Sequence, residues 1–380
     1  CLLQEWQNAL GGGTLISMNR IQFVHAYKYI ISLENLLEAW KEFARGKRSR
    51  NDVQEFELNL MSNIIKLHND LASGVYMHGE YQAFRICDPK PRDIHKATVR
   101  DRLLHHAIYR KLYPFFDRTF IEDSFSCRIG KGTHKALNRF RAFCRIVSRN
   151  NTRTCWVLKC DIQKFFASID HKILLDILKK YIPDEKVLWL LERVVASFYS
   201  TRPGIGLPLG NLTSQLFCNI YMNEFDQFVK HRLKATYYVR YADDFVFLFE
   251  NRNWLVEKIS IIRDFLQEKL RLVLHPKKLS LKTLASGVDF LGWAHFPDHR
   301  ILRTSTRKRM NRRIQENPAP QTYISYLGLL RHGNTHKIQR VVEKEYLLSQ
   351  EVSTPLSIDR QTSPKQLQSR RNEAIQPATN

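Results

Sequence analysis

Tyr237-Tyr238-Val239-Arg240-Tyr241-Ala242-Asp243-Asp244-Phe245-Val246-Phe247-Leu248-Phe249 is the stretch on which the reading of this chain turns. Two runs rich in aromatic and β-branched residues flank a short polar tip, the pattern of a β-hairpin with a pair of carboxylates at its turn. Adjacent carboxylates repel, and each lowers its energy by moving apart or by meeting a cation. Magnesium suits such a pair, because it is a hard ion that takes carboxylate and phosphate oxygens and keeps part of its water. An ordinary Asp-rich turn is the competing reading, and for an isolated Asp-Asp pair it is the better one. The apolar flanks argue against a solvated loop, so the decision passes to the rest of the chain.

At 380 residues the chain can bury more than one core, which predicts two or three subdomains. Its 43% hydrophobic and 26% charged residues are those of a globular protein, but the net charge of +23 is not. Polyanions are the natural counterpart, since each phosphate neutralised by a basic side chain releases condensed counterions. A basic protein on a membrane surface is the alternative. No apolar run approaches the ~18 residues of a spanning helix, and no charged-then-apolar leader is present, so nucleic acid is favoured. Cys1, Cys87, Cys127, Cys144, Cys155, Cys160 and Cys218 are scattered without a Cys-x-x-Cys pair. That odd, unpaired set argues against a disulfide framework and a zinc site, and for a reducing, cytoplasmic compartment.

Reading outward in chain order, Met18 is a plausible natural start, with residues 1–17 a non-native or disordered leader. Between Leu33 and Leu71 the apolar spacing predicts two amphipathic helices separated by a basic break at Gly46–Arg50. A strand from Tyr81 to Cys87 precedes the stiff basic turn Asp88-Pro89-Lys90-Pro91-Arg92. A helix then runs to about Leu112, stopped by Pro114, and another spans Thr133–Val147 after the basic loop Phe125–Gly132. Trp156-Val157-Leu158-Lys159-Cys160-Asp161 reads as a strand ending in a carboxylate. Helices are predicted at 171–181 and 184–198, with Asp170 and Asp184 as N-caps, and at 212–233. After the central hairpin come a helix at 254–270 and a strand at 271–274. Strand, helices, hairpin, helix, strand is the split βαβ order of a ferredoxin-like sheet. Past Gly292 a basic helix covers 303–313, a further helix lies near 321–330, and beyond Tyr346 the polar composition predicts disorder.

Strand ends neighbour one another in such a sheet, so Asp161 is expected to face Asp243 and Asp244. Three carboxylates there could hold two ions roughly 3.5–4 Å apart, the spacing used for in-line phosphoryl transfer. Taken alone, Asp161 reads better as a helix cap or salt-bridge partner; together with the hairpin, the metal reading prevails. Other patterns carry nothing. Gly204-Ile205-Gly206 misses the dinucleotide spacing, Gly130-Lys131-Gly132-Thr133 lacks the Walker A length, and no Glu lies between His332 and His336.

Lys90-Pro91-Arg92, Phe125–Gly132, Asp161–Asp170, Gly206–Asp226 and Tyr241–Asp244 occur in the order of reverse-transcriptase motifs, and Asp289-Phe290-Leu291-Gly292-Trp293 resembles the primer-grip turn. The resemblance covers about residues 75–330. It implies an α+β fold: a right-hand polymerase with helical and β fingers, a ferredoxin-like palm of antiparallel sheet plus helices, and a short helical thumb. Its divisions would be an N-terminal helical region at 18–80, fingers at 81–153, palm at 154–293 with finger-connecting helices at 171–200, thumb at 294–345 and a polar tail at 346–380. The activity implied is RNA-directed DNA synthesis with two Mg2+ ions, Mn2+ being a possible substitute. Asp161, Ile162, Asp243 and Asp244 would hold the metals, and Lys278, in competition with its neighbour Lys277, would give a proton to pyrophosphate. Arg92, Arg128, Lys131, Phe166, Leu209 and Gln215 would meet the incoming deoxynucleoside triphosphate, with Phe166 as the plate that excludes a 2′-hydroxyl. Tyr241, Gly292, Trp293, Arg307 and Arg309 would meet template RNA, primer or cDNA.

Leu209-Gly210-Asn211-Leu212-Thr213-Ser214-Gln215 departs from the usual Gln-Gly-x-x-x-Ser-Pro, with Leu209 in the Gln place and Gln215 in the Pro place. This is similar to the enzymes of diversity-generating retroelements, which implies misincorporation opposite template adenines and a small basic accessory protein oligomer as partner. Leu209 lacks the hydrogen bonds a Gln would make to the nucleotide, a physical basis for lower fidelity. Group II intron, retron and phage-defence enzymes stay open within the family. A catalytically idle RNA-binding scaffold is the reading from another class.

Overall fold

A computed structural model describes residues 21–24, 26–87 and 91–353, with side chains described as far as residue 347. The leader and start expected at residues 1–18, the turn residue Lys90 and the tail after Ser353 lie outside the described residues. Two compact units divide the chain at His299 and Arg300.

The first unit opens with helices α1 (Tyr27–Ile31), α2 (Leu33–Ala44), α3 (Asn51–Leu58) and α4 (Leu60–Ala72). Ser32 starts α2, its hydroxyl accepting from the Asn35 N–H at 3.2 Å, and Leu36, Trp40 and Phe43 bury one face. The second helix expected here is two, because the backbone leaves helical geometry at Asn59 (φ −118°, ψ 37°). The Asn63 amide donates to the Phe56 carbonyl across that break. Strands β1 (Gln82–Ile86) and β2 (Arg92–Lys96) pair antiparallel. Helix α5 (Val99–Asp117) runs through Pro114 instead of stopping there. Pro114 sits on the exposed side, while Phe116 is buried and the Tyr113 hydroxyl donates to Asp117 at 3.0 Å. Those contacts hold the last turn against the lost backbone hydrogen bond. Helix α6 (Thr133–Val147) has the bounds its periodicity predicts.

Strand β3 (Trp156–Asp161) begins the central sheet. It is followed by α7 (Phe165–Ser168), α8 (His171–Lys179), α9 (Glu185–Ala196), α10 (Leu212–His231), β4 (Tyr238–Tyr241), β5 (Asp244–Phe249), α11 (Arg252–Leu270) and β6 (Ser280–Thr283). Both predicted caps are made: Asp170 accepts from the Ile173 N–H at 3.1 Å, and Asp184 from Lys186 at 2.9 Å and Val187 at 3.2 Å. The strand order is β4-β5-β3-β6 with antiparallel neighbours, the ferredoxin-like arrangement. Burial of Phe245, Val246, Phe247 and Leu248 covers both faces of β5, which is why it reads as an unbroken apolar run. The fourth strand is not at 271–274. That stretch makes only an isolated bridge, Leu274 to Ile162, and the chain rejoins β3 at Ser280–Thr283 after a turn. Strands β7 (Val288–Phe290) and β8 (Trp293–His295) form a further hairpin, and this unit extends to His299.

The second unit contains β9 (Arg300–Leu302), α12 (Thr304–Glu316), α13 (Pro320–Leu330) and α14 (His336–Ser353). Helix α12 buries Thr306, Met310 and Ile314 on one stripe and exposes Arg307, Lys308, Arg312 and Arg313. Helix α14 continues past Tyr346, where composition predicts disorder; Tyr346 packs on Tyr323 of α13 with ring centroids 5.4 Å apart. No helix among the described residues is long and apolar enough to cross a membrane.

Candidate active site

Tyr241 is the ladder partner of Asp244, so Ala242 and Asp243 alone form the loop between β4 and β5. Ala242 takes φ 56°, the positive value that one favoured class of two-residue hairpin demands at its first loop position. On the other side of β5, Asp161 at the end of β3 is itself the ladder partner of Asp244. The convergence expected from sequence is thus a matter of register. A slip of one residue would send one carboxylate to the opposite face.

Crowding shows in the electrostatics. Burial drives the Asp244 carboxyl up to about 6, the Lys159 ammonium pulls against it, and the charges of Asp161 and Asp243 push with it. Asp243 is raised above the usual carboxylate range, first by burial and then by Asp161, with Lys278 and Arg92 opposing. Lys159 Nζ lies 3.2 Å from Asp244 Oδ2 and donates to the Asp289 carbonyl at 2.9 Å. Lys278 Nζ lies 2.6 Å from Asp161 Oδ1. Between the adjacent lysines, Lys278 is therefore the one that faces the site.

Asp244 Oδ1 is buried without a hydrogen-bond partner, a condition that costs about 1–3 kcal/mol. An all-oxygen donor set, mutual repulsion and an orphaned carboxylate oxygen together fit a divalent cation. Among the described residues no group of three or more His, Cys, Asp or Glu side chains stands arranged to hold one ion. The ammonium groups of Lys159 and Lys278 add positive charge beside the carboxylates. Ile162 follows Asp161 with its side chain buried, and the chain beside it is pinned by Gln163 N–H to the Val273 carbonyl and His275 N–H to the Asp161 carbonyl, both 2.8 Å.

The residues expected to meet a nucleotide separate into two groups. Arg92 is exposed on β2, close enough for its charge to act on Asp243. Phe166 is half-buried on α7, and its carbonyl accepts from Leu207 N–H at 2.8 Å. The Leu209 carbonyl accepts from His95 N–H at 3.1 Å, tying this segment to β2 as well. Gly210 suits this position because its φ of 110° is one that other residues rarely adopt, and a Cβ would also press on Ile94 Cγ2 at 3.1 Å. Gln215 lines a cavity of about 400 Å3 with Ile94, His95, Asn211, Lys47 and Arg102.

Arg128 and Lys131 are both engaged with protein groups. The Arg128 side chain is 5% exposed; Nε donates to Asp117 Oδ1 at 2.7 Å, and its other nitrogens donate to the Ile121, Ser124 and Asp117 carbonyls. Lys131 is paired with Glu122 and donates to its carbonyl at 2.9 Å. A long irregular loop has backbone carbonyls to satisfy, and these two cations are used on them.

Tyr241 accepts at its hydroxyl from Thr133 Oγ1 at 3.1 Å. Leu291 (φ 48°) and Gly292 (φ 87°) make the two-residue tip of the β7–β8 hairpin. Trp293 is 1% exposed, its ring packed in the core. Arg307 is exposed and Arg309 half-buried on α12 of the second unit.

Sequence reasoning missed Lys159 and Arg240. Lys159 stands two residues before Asp161, hence on the same strand face. Arg240 is a charge inside an apolar strand, which by itself asks for a partner.

Residues 88–295 match the family model described as reverse transcriptase (RNA-dependent DNA polymerase). Protein YkfC of Escherichia coli K12 is 25% identical over 282 residues, covering 63% of this chain and 71% of that protein. Group II intron-encoded protein LtrA of Lactococcus lactis is 23% identical over 363 residues, covering 76% of this chain and 58% of LtrA. Among solved structures, telomerase from Candida albicans in complex with a TWJ fragment of telomeric RNA is similar at 13% identity and TM-score 0.48, over 72% of this chain and 54% of that one. The match to the family model spans more than half of the residues and contains the whole of the carboxylate site, and by it the chain belongs to the reverse transcriptase family.

Proposed function

We propose that this chain is an RNA-directed DNA polymerase that extends a primer 3′-hydroxyl along an RNA template with deoxynucleoside triphosphates. The observation that carries the reading is the Asp161–Asp244 ladder pair beside the Asp243 turn. Divalent cations, Mg2+ with Mn2+ as a substitute, supply charge stabilisation of the attacking and leaving oxygens when bound. Asp161, Asp243 and Asp244 hold them, with the backbone beside Ile162 closing the site. Arg92 meets the triphosphate. Phe166 lies against the sugar and leaves no room for a 2′-hydroxyl. Lys278 carries the proton to the departing pyrophosphate. Gly292 at its hairpin tip lets the backbone approach the primer, and Arg307 and Arg309 meet phosphates of the duplex.

Primer extension on an RNA template with Mg2+ tests the activity. Wild type should make cDNA and Asp161→Asn should make none while still binding RNA. RNA binding without product from wild type would support the scaffold reading. Phe166→Ala should admit ribonucleotides.

Leu209 and Gln215 support a finer reading, the error-prone enzyme of a diversity-generating retroelement working with a small basic accessory protein. Leu209 removes a polar check on the base pair, so errors should concentrate opposite adenines. Leu209→Gln should lower that error rate in sequenced cDNA, and an unchanged rate counts against this subtype. Likeness to LtrA favours a second reading, a group II intron-type enzyme, for which wild-type cDNA should show no adenine bias.

A further inference from the structure

Arg240 lies on β4 between Val239 and Tyr241 and is 0% exposed. Its guanidinium is fully engaged. Nε donates to Asp226 Oδ1 at 2.8 Å and Oδ2 at 3.0 Å, and Nη2 donates to Asp226 Oδ2 at 2.6 Å and Ser124 Oγ at 2.9 Å. Nη1 donates to Asn219 Oδ1 at 3.3 Å and to the Ala242 carbonyl at 3.1 Å. Its backbone joins the loop after α5, with its N–H on the Asp123 carbonyl at 2.9 Å and its carbonyl accepting from Phe125 N–H at 3.0 Å.

Stability does not explain this investment, since replacing a buried ion pair by well-packed apolar groups is often neutral or stabilising. Reach does. Asp226 and Asn219 lie on α10, Ser124 on the loop after α5, and Ala242 in the turn that carries Asp243. The bond to the Ala242 carbonyl fixes the plane of the Ala242–Asp243 peptide. That plane decides where Asp243 points, in a turn already held at the unfavourable φ of Ala242. Only a planar fork spans these acceptors together; an ammonium on the same strand would serve one or two.

We propose that Arg240 is a positioning residue for nucleotidyl transfer. Anchored on Asp226 and Ser124, it holds the Ala242–Asp243 peptide so that Asp243 is presented alongside Asp161 and Asp244. The inference rests on the polymerase reading given above, and part of its test is independent of turnover.

The full chain carrying Arg240→Lys or Ser124→Ala is compared with wild type by four measurements. These are the thermal midpoint, template–primer affinity by anisotropy, Mn2+ binding to the substrate-free protein by electron paramagnetic resonance, and single-turnover incorporation at saturating nucleotide. Arg240→Lys should leave template–primer affinity within about twofold and slow incorporation by about 100-fold, the scale expected of a small misplacement. It should also weaken Mn2+ binding by about fivefold or more, the equivalent of one lost hydrogen bond. Ser124→Ala, a milder change, should slow incorporation by about fivefold. Wild-type rate and Mn2+ affinity in folded Arg240→Lys overturn the proposal. If that variant does not fold, a wild-type rate in Ser124→Ala overturns it. Weakened Mn2+ binding in the variants of a protein that never extends a primer would sink the polymerase reading, and with it the role in nucleotidyl transfer, while leaving the placement of Asp243 by Arg240 supported.

Discussion

Asp244 is pushed up to about 6 by burial, with Lys159 opposing and Asp161 and Asp243 adding to the push. The folded protein therefore holds the Asp244 proton more tightly than the unfolded chain does. Its contribution to stability is complete below the ordinary carboxylate value of 3.8 and is lost as pH rises towards 6. Asp243 shifts in the same direction. In chelator, the thermal midpoint of wild type minus that of Asp244→Asn should fall between about pH 4 and pH 6. Millimolar Mn2+, bound by the ionised folded form, should restore it above pH 6. A difference independent of pH would refute the assignment of strain to this carboxyl. Trp293 supplies a second test at this scale. Buried as it is, Trp293→Ala should cost about 3–5 kcal/mol of stability and lower the thermal midpoint. Loss of primer binding at unchanged stability would instead show the ring to be a nucleic-acid contact.

Elements whose signals are local were legible in the sequence. Asp170 and Asp184 announce their helices because an N-cap is decided within three residues, and α6 has the bounds its periodicity predicts. Asp184 does more than cap: its Oδ2 also accepts from the Tyr27 N–H at 2.8 Å, joining α1 to α9. Asp184→Ala should cost about 1–2 kcal/mol, read as an earlier urea midpoint with specific activity unchanged in the folded fraction. The fourth strand shows the opposite case. Arg271-Leu272-Val273-Leu274 has better strand composition than Ser280-Leu281-Lys282-Thr283, yet the latter pairs with β3. Both segments run beside β3, Leu274 at Ile162 and Ser280–Thr283 at Trp156–Lys159, and the chain leaves the ladder between them. That excursion, turned by Pro276, is what brings Lys278 to Asp161. Departures from a ladder commonly re-aim a side chain next to a site, and composition does not encode one.

For the whole molecule, the net charge of +23 predicts binding to nucleic acid that weakens steeply with salt. The exposed face of α12 lets this be apportioned. Arg307→Gln with Lys308→Gln should reduce the slope of log affinity for single-stranded RNA against log salt by about 1.4, or 0.7 per phosphate contact. An unchanged slope would exclude this helix from the interface. By itself the sequence determined the hairpin with its paired carboxylates, most of the helices and the meeting of Asp161 with Asp244. Each of these follows from residue period, local turn chemistry or the register of one sheet. Only the tertiary structure decided which long side chains are free. It used Arg128 and Lys131 on loop carbonyls and Glu122, buried Trp293, chose Lys278 over Lys277, and set Lys159 and Arg240 on groups distant in sequence. A flexible cation can reach many acceptors, and which of them comes within reach depends on segments folded from elsewhere in the chain.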